Sequence, residues 1–169
     1  MLSKNADDIL RLKGKMMKKT VIIFFLLCIF LLGFAGISQA ADRDDNPIDN
    51  YYAKKLQNVT NMGDLTDISM KETSAWQAEF VNITNILRKK YEQTEYYPNS
   101  PQKINNYVDK VNALVVAAAE LNALNSAGGS LAKLEYYGAQ INTYKDAVFL
   151  LINGHFSNPD SGYQFIFGK

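Results

Sequence analysis

The feature that most constrains the fold is a series of four amphipathic segments whose ends are marked by proline and glycine. Within each segment, apolar residues recur at intervals of three and four, which places them on one face of an α-helix. Alternation typical of a strand occurs only near the end of the chain, where Tyr163, Phe165 and Phe167 are separated by single residues. The pattern therefore predicts an all-α protein.

The first segment follows Asn46-Pro47, which is typical of a helix N-cap and a proline in the first turn. Gly63 indicates a helix end, so we expect the first helix to extend over 47–62. Its expected core-facing residues are Ile48, Tyr52, Leu56 and Val59.

The second segment contains Ser69 and Glu72, which have the spacing of a capping box. We expect this helix to begin there or as early as Leu65. It should end before Pro98, because the residue that precedes a proline is disfavoured in helical geometry. Its expected core-facing residues are Trp76, Phe80, Ile83, Leu87 and Tyr91.

The third and fourth segments have equally clear ends. Ser100-Pro101 repeats the cap-and-proline signal, and Gly128-Gly129 ends the third helix. Ser130 is the expected cap of the fourth helix, which continues to Asn153-Gly154. The expected core-facing residues of these two helices are Ile104, Tyr107, Val111, Leu114, Ala118, Leu121, Leu131, Leu134, Gly138, Ile141, Tyr144, Val148 and Leu151.

Short connections between these helices favour antiparallel neighbours. We therefore predict an up-down-up-down four-helix bundle over 47–155. The predicted first helix is about 24 Å long, whereas the other three are about 36 to 40 Å long, so part of the core needs another cover. We expect the non-helical aromatic tail 156–169 to pack on the bundle there; the alternative cover is a partner protein.

An uncharged apolar run over 21–37 precedes the helical segments. It follows a lysine-rich stretch and is followed by Ser38-Gln39-Ala40-Ala41, which is typical of a secretory signal peptide cleaved after Ala40. Residues 1–40 are then an N-terminal extension plus signal, with translation starting at Met1, Met16 or Met17, and 41–46 is a short polar linker. The alternative is an uncleaved single-span anchor.

Removal of the signal changes the composition. Residues 41–169 contain 12 basic and 15 acidic side chains, a net charge of −3, and they lack the single cysteine, Cys28. Disulfides, thiolate nucleophiles and cysteine-bound zinc are therefore excluded from this part. The net negative charge argues against nucleic-acid binding. We also expect no membrane association after cleavage.

Residues that could support catalysis or bind a metal are few. His155 is the only histidine, which excludes histidine pairs, and at a helix end its expected role is to meet unpaired carbonyl groups. The stretch 42–46 resembles a calcium loop but has Pro47 where the turn requires glycine. Three carboxylates lie beside apolar positions, and one of them could be an acid with a raised pKa: Glu79, Glu120 and Glu135. We predict a protein that is not an enzyme and has no catalytic residue, metal or cofactor.

The remaining functional signal is aromatic. All ten tyrosines follow residue 40, and six of them form adjacent pairs, so that both members of a pair rarely face one core. An up-down bundle gathers several of these residues at one pole, together with Tyr91 and Phe149. The candidate partner-binding residues are Tyr51, Tyr52, Tyr96, Tyr97, Tyr107, His155 and Phe156.

Tyrosine combines stacking area with a hydroxyl group, which suits protein interfaces. The leading hypothesis is an exported, non-enzymatic bundle that contacts an unidentified envelope or extracellular protein as an accessory, inhibitor or adhesin-like factor. The alternative is a carrier of a small apolar ligand or haem. A purely structural role, in which the rings cover the end of the core, also fits the pattern.

Overall fold

The computed structural model describes residues 43, 45–92, 97–126, 128–156 and 162–169. Within these ranges the protein has four α-helices, one 3-10 turn and no strand, which confirms the all-α prediction. The helices are α1 (Pro47–Leu56), α2 (Met62–Glu92), α3 (Ser100–Ala123) and α4 (Ser130–His155), and the 3-10 turn is Leu124–Ser126. The predicted signal segment lies outside the described residues. None of the described helices has the length and apolar character needed to span a membrane.

The start of α1 agrees with its cap signal. The Asn46 side chain accepts a hydrogen bond from the backbone N–H of Asp49 at 2.9 Å, and Pro47 occupies the first turn. The helix ends at Leu56, six residues before the predicted end at Met62. Its 10 residues therefore extend only about 15 Å.

The start of α2 differs from the prediction. Asn61 Oδ1 accepts from the Asp64 N–H at 2.9 Å, so asparagine caps the helix and Gly63 lies inside its first turn. The predicted capping box at Ser69 is wrong, because its hydroxyl donates to the Leu65 carbonyl at 3.0 Å within the helix. An Asn–Asp pair earlier in the chain provides the same type of cap, and α2 has 31 residues in total.

The core lies between α2 and α4, with α1 packed against α2 and α3 packed mainly against α4. Trp76, Phe80 and Ile83 of α2 are almost completely buried. Further buried apolar residues are Ile48, Tyr52, Leu87, Val111, Val115, Tyr144, Ala147, Val148, Phe149, Leu151 and Ile152.

Several predicted core leucines are exposed. Leu114, Leu121 and Leu131 have exposed fractions of 58%, 67% and 51%, and Leu56 is also exposed. On α3 the buried row is instead Val111, Val115 and Ala119, which faces α4. The prediction placed both flanks of the helix in the core, whereas the packing of α3 covers only one of them.

The described part of the tail is non-helical and aromatic, and Tyr163, Phe165 and Phe167 are partly buried against the core. The Phe165 ring lies 6.2 Å from the ring of Trp76. The Phe167 ring lies 5.4 Å from that of Tyr51, on α1. The alternating pattern of this segment therefore reflects one face that contacts helices, and no sheet is formed within the described residues.

Candidate functional site

An open pocket of about 700 Å³ lies where the end of α2, the start of α3 and the end of α4 meet. Most of its lining is apolar or aromatic. The aromatic residues are Tyr91, Tyr97 and Tyr107; the aliphatic ones are Leu87, Ile104, Leu150 and Leu151; the remaining lining residues are Thr84, Ser100, Lys103, Gly154 and His155. We refer to this cavity as the tyrosine pocket.

A tight turn before α3 positions Tyr97 at the pocket. Asn99 adopts the left-handed conformation (φ 66°), which asparagine tolerates better than most residues. The Ser100 N–H and hydroxyl both donate to the Tyr97 carbonyl. This turn fixes the Tyr97 backbone while 57% of the residue remains exposed. The sequence predicted Ser100 as the cap of α3, whereas Asn99 occupies the cap position and Ser100 is the first helical residue.

His155 connects the ends of α2 and α4. Its Nδ1 lies 3.0 Å from the Tyr91 hydroxyl, and Lys90 Nζ donates to its carbonyl at 2.9 Å. The prediction that the imidazole itself meets terminal carbonyl groups is therefore wrong, because a lysine from α2 occupies that role. Burial, assisted by the positive charge of Lys90, lowers the pKa of His155, so that the ring is neutral near pH 7.

Tyr107 forms a side wall of the pocket and also contacts the core. Its ring lies 6.2 Å from that of Phe80, and burial raises the pKa of its hydroxyl group. The Tyr107 hydroxyl is consequently a neutral hydrogen-bonding group on an apolar surface. The charged member of the lining is Lys103, whose backbone N–H donates to the Asn99 carbonyl at 3.1 Å and whose side chain has no hydrogen bond or ion pair among the described residues.

The structure brings together part of the predicted pole. Tyr97, Tyr107 and His155 line the tyrosine pocket, and Phe156 lies beside it, with Lys90 Nζ 5.2 Å from its ring centroid. Tyr96 lies outside the described residues. The lining residues that are absent from the predicted partner-binding set include Tyr91, Lys103 and Leu150. Of these three, only Tyr91 had a signal in the predicted core pattern.

Tyr51 and Tyr52 lie elsewhere, next to Phe167 of the tail. Charges on Lys71 and Glu72 act on Tyr52, which places it beside the first half of α2. The prediction that the start of the first helix shares the pole is therefore wrong. An α1 of about 15 Å cannot reach the far end of an α2 of about 46 Å.

Among the three candidate carboxylates, Glu79 is completely buried. It accepts hydrogen bonds from the Tyr163 hydroxyl and, at 3.2 Å, from the Ile166 N–H. Glu120 is exposed, and Glu135 accepts from the Ser126 hydroxyl at 2.6 Å. Because Tyr163 is 84 positions from Glu79, no local pattern indicated that this carboxyl group anchors the tail.

A second carboxyl group, Glu72, lies partly buried near the ion pair of Asp49 and Lys145. Burial, with a contribution from the Asp49 charge, raises the pKa of Glu72 to about 7, while Lys145 acts in the opposite direction. Nearby, Lys145 Nζ lies 6.0 Å from the Trp76 ring centroid. The buried Nε1 of Trp76 has no hydrogen-bond partner within the described ranges.

In the part of the chain that the structure describes, no three histidine, cysteine or acidic residues are grouped as metal ligands. The chemical character of the tyrosine pocket is that of a binding surface with hydroxyl groups and one lysine. Comparison of the chain with known protein families, with curated proteins and with solved structures gives no match.

Proposed function

We propose that this protein is an exported, non-enzymatic helical bundle that binds another protein of the bacterial envelope or extracellular space. In this proposal an apolar side chain of the partner enters the tyrosine pocket. The observation that carries the proposal is the convergence of Tyr91, Tyr97 and Tyr107 on one open pocket of about 700 Å³. Rigid aromatic residues around a pocket are typical of the centre of protein interfaces.

The chemistry of the lining favours an uncharged anchor on the partner. Burial raises the pKa of Tyr107 and lowers that of His155, so both groups are neutral and able to exchange hydrogen bonds. The aliphatic residues Leu87, Ile104 and Leu151 supply apolar contact area. An aromatic or aliphatic side chain with polar backbone groups on either side would satisfy both parts of this surface.

Export is supported by the basic, apolar and small-residue order of 13–41. We propose that the bundle is up-down-up-down, and that the tail replaces the missing length of α1. Short connections and the pairwise helix contacts support this topology. The contacts of Phe165 with Trp76, and of Phe167 with Tyr51, support the place of the tail.

The second candidate function is a carrier for a small apolar molecule or haem. The pocket volume favours it, since small-molecule sites commonly measure about 300 to 1,000 Å³. Native mass spectrometry and visible absorbance of the purified protein separate the two functions. A bound molecule that is lost in Tyr107→Ala would favour the carrier.

The decisive experiment compares two exposed tyrosines. Tyr97 lies at the tyrosine pocket, and Tyr51 lies beside the tail; their exposed fractions are 57% and 46%. Affinity capture from the native envelope should recover a protein with the wild type and with Tyr51→Ala, but at least tenfold less with Tyr97→Ala. Thermal melting should confirm that Tyr97→Ala is folded. Equal capture by both variants would contradict the proposal.

A further inference from the structure

Three polar groups of the tyrosine pocket have no partner within the described part of the chain. The amino group of Lys103 and the hydroxyl groups of Tyr97 and Tyr107 make no hydrogen bond or ion pair among the described residues. Lys103 and Tyr107 are four positions apart on α3, so their side chains are neighbours on one face of the helix. All three groups can donate a hydrogen bond, and the lysine carries a positive charge. The pocket therefore presents donors that a ligand would satisfy.

The charge around the pocket is positive. No aspartate or glutamate is among the described lining residues, and Glu92, the only acidic residue described over 88–107, is exposed and does not line the pocket. Lys90 adjoins two lining residues, because its Nζ lies 5.7 Å from the ring centroid of Tyr91 and donates to the His155 carbonyl. The second of these contacts also offsets the negative end of the α4 dipole.

The helix dipole of α3 acts in the same direction. Its first turn, from Ser100 to Lys103, borders the pocket and contains no acidic side chain. This turn is the positive end of the helix. A negatively charged group is therefore the partner that the unpaired donors favour, because hydrogen bonds to an ionised acceptor are the strongest that they can form.

The apolar wall of the pocket lies next to these donors. Ile104 follows Lys103 directly, and Leu87, Leu150 and Leu151 also line the pocket. A ligand that uses both surfaces therefore needs its negative charge and its apolar group close together. In an extended peptide, neighbouring side chains point to opposite sides, so an acidic side chain and the apolar side chain beside it do not enter together. The last residue of a protein, in contrast, carries its side chain and its carboxylate on one carbon atom.

We propose that the tyrosine pocket binds the C-terminal residue of the partner protein. The carboxylate of that residue accepts hydrogen bonds from the Lys103 amino group and the Tyr107 hydroxyl, and its aromatic or aliphatic side chain contacts Leu87 and Ile104. The side chain that enters is uncharged, and the negative charge belongs to the end of the backbone. This inference rests on the proposed function and names the part of the partner that the pocket holds. Capture of a terminal carboxylate is a recurrent mode of peptide recognition.

N-acetyl-phenylalanine and N-acetyl-phenylalaninamide are a matched pair of probes, because only the first has a terminal negative charge. His155 lines the pocket and is the only histidine of the chain, so its imidazole signals report binding in NMR titrations of the full chain. The wild type should bind the acid with a dissociation constant of about 1 mM, as expected for a molecule of this size. It should bind the amide about tenfold more weakly, because the charge-assisted contact is lost.

The variant that tests the contact is Lys103→Met, which removes the positive charge and keeps an unbranched side chain. It should bind the acid and the amide equally, each as weakly as the wild type binds the amide. The matched control is Lys110→Met, at a lysine two turns further along α3, and it should keep the preference for the acid. Both lysines are exposed, so circular dichroism should show the same helicity for the wild type and both variants.

Equal binding of the acid and the amide by the wild type would overturn the inference, and so would a preference for the acid that persists in Lys103→Met. Imidazole signals that stay unchanged with about 10 mM of the acid would also overturn it. The proposed function is judged separately by partner capture. Capture that is lost in Tyr97→Ala but unchanged in Lys103→Met would support the proposed function and overturn the carboxylate contact. Equal capture by Tyr97→Ala and the wild type would contradict the proposed function itself.

Discussion

Aromatic rings cluster in two regions of this protein, and the chain covers one of them while leaving the other open. Beside α1, the rings of Tyr51, Tyr52 and Trp76 contact Phe165 or Phe167 of the tail. At the tyrosine pocket, comparable rings border about 700 Å³ of accessible space. The same residue type therefore contributes to stability in one region and is available for binding in the other.

One region is covered and the other is open because their polar groups hold different parts of the chain. Near the tail, the buried carboxyl group of Glu79 accepts from the Tyr163 hydroxyl and the Ile166 N–H. At the tyrosine pocket, the hydrogen bonds of Ser100 and Lys90 end on the carbonyl groups of Tyr97 and His155 at its edge. These contacts fix the rim and do not fill the interior. A substitution should therefore affect stability beside α1 and binding at the pocket.

The largest expected effect is at Phe165, which packs between Trp76 and Phe149. Phe165→Ala removes contacts from a partly buried ring and should lower the free energy of unfolding by about 3 kcal/mol. Tyr97→Ala should lower it by less than about 0.5 kcal/mol, because the residue is mostly exposed. Urea unfolding measures both values. The control is Ile166→Ala, at the exposed residue next to Phe165, and it should have a smaller effect than Phe165→Ala. A loss of stability in Tyr97→Ala as large as that in Phe165→Ala would contradict the difference between the two aromatic regions.

The next effect concerns the hydrogen bond between Tyr163 and Glu79. Burial and this hydrogen bond raise the pKa of Tyr163, so its hydroxyl remains a donor at all ordinary pH values. Tyr163→Phe leaves a buried carboxyl group with one donor fewer and should cost about 2 kcal/mol. The hydroxyl also accepts from the Asn82 side chain at 2.8 Å.

A double-mutant cycle with Glu79→Gln isolates this contact in urea unfolding. Tyr163→Phe should lower the free energy of unfolding less in the Glu79→Gln background than in the wild type. The reason is that a hydrogen bond from the phenol stabilises a buried amide less than it stabilises a buried carboxyl group. Equal costs in the two backgrounds would show that Glu79 does not hold the tail through Tyr163.

A smaller effect depends on pH and lies beside α1. The pKa of Glu72 is raised from 4.5 to about 7 in the folded protein, so the fold favours the protonated carboxyl group. Its contribution to stability is complete below about pH 4.5 and is lost as the pH rises through 7. Relative to Glu72→Gln, the wild type should lose about 1 to 2 kcal/mol between pH 4.5 and 8, after allowance for partial solvent exposure.

Urea unfolding of both proteins at several pH values measures this loss. Glu120→Gln, at an exposed carboxyl group on α3, is the matched control and should follow the wild type. A difference between the wild type and Glu72→Gln that stays constant with pH would contradict the assignment.

The smallest effect is at the tyrosine pocket. Burial is the main cause of the lowered pKa of His155, and the charge of Lys90 is the second. Lys90→Met should therefore raise the pKa of His155 while leaving it below the ordinary value of 6.5, as measured by NMR titration of the imidazole signals. Lys110→Met, on α3, should leave the titration unchanged. A titration unaffected by Lys90→Met would show that the charge of Lys90 does not act on the His155 ring.

Much of the helical content was predictable because its signals are local. Asn46-Pro47 and Ser100-Pro101 mark helix starts through backbone geometry that acts within one turn. The prediction that Gly128-Gly129 ends α3 is wrong, because the helix ends at Ala123 and a 3-10 turn follows it. The errors arose where two local signals competed. Asn61 caps α2 although Ser69 has the better motif, and the early end of α1 follows from that choice.

The candidate site was predictable only in part. The excess of tyrosine indicated its chemistry, and the helix order placed Tyr97, Tyr107 and His155 at one pole. Lys103 and Leu150 had no distinguishing pattern, because a pocket depends on how far three helix ends stand apart. That separation is a property of packing, and helical periodicity carries no information about it.

By itself, the sequence determined the all-α class, the starts of α3 and α4 to within one residue and the aromatic character of the tail, since helix propensity, capping and periodicity act between near neighbours. Tertiary structure alone decided that Glu79 anchors the tail, that Leu114 and Leu121 stay exposed, and that Tyr51 lies apart from Tyr97. Each of these outcomes depends on groups that are distant in sequence and on the relative lengths of helices. They are settled only when the helices pack together.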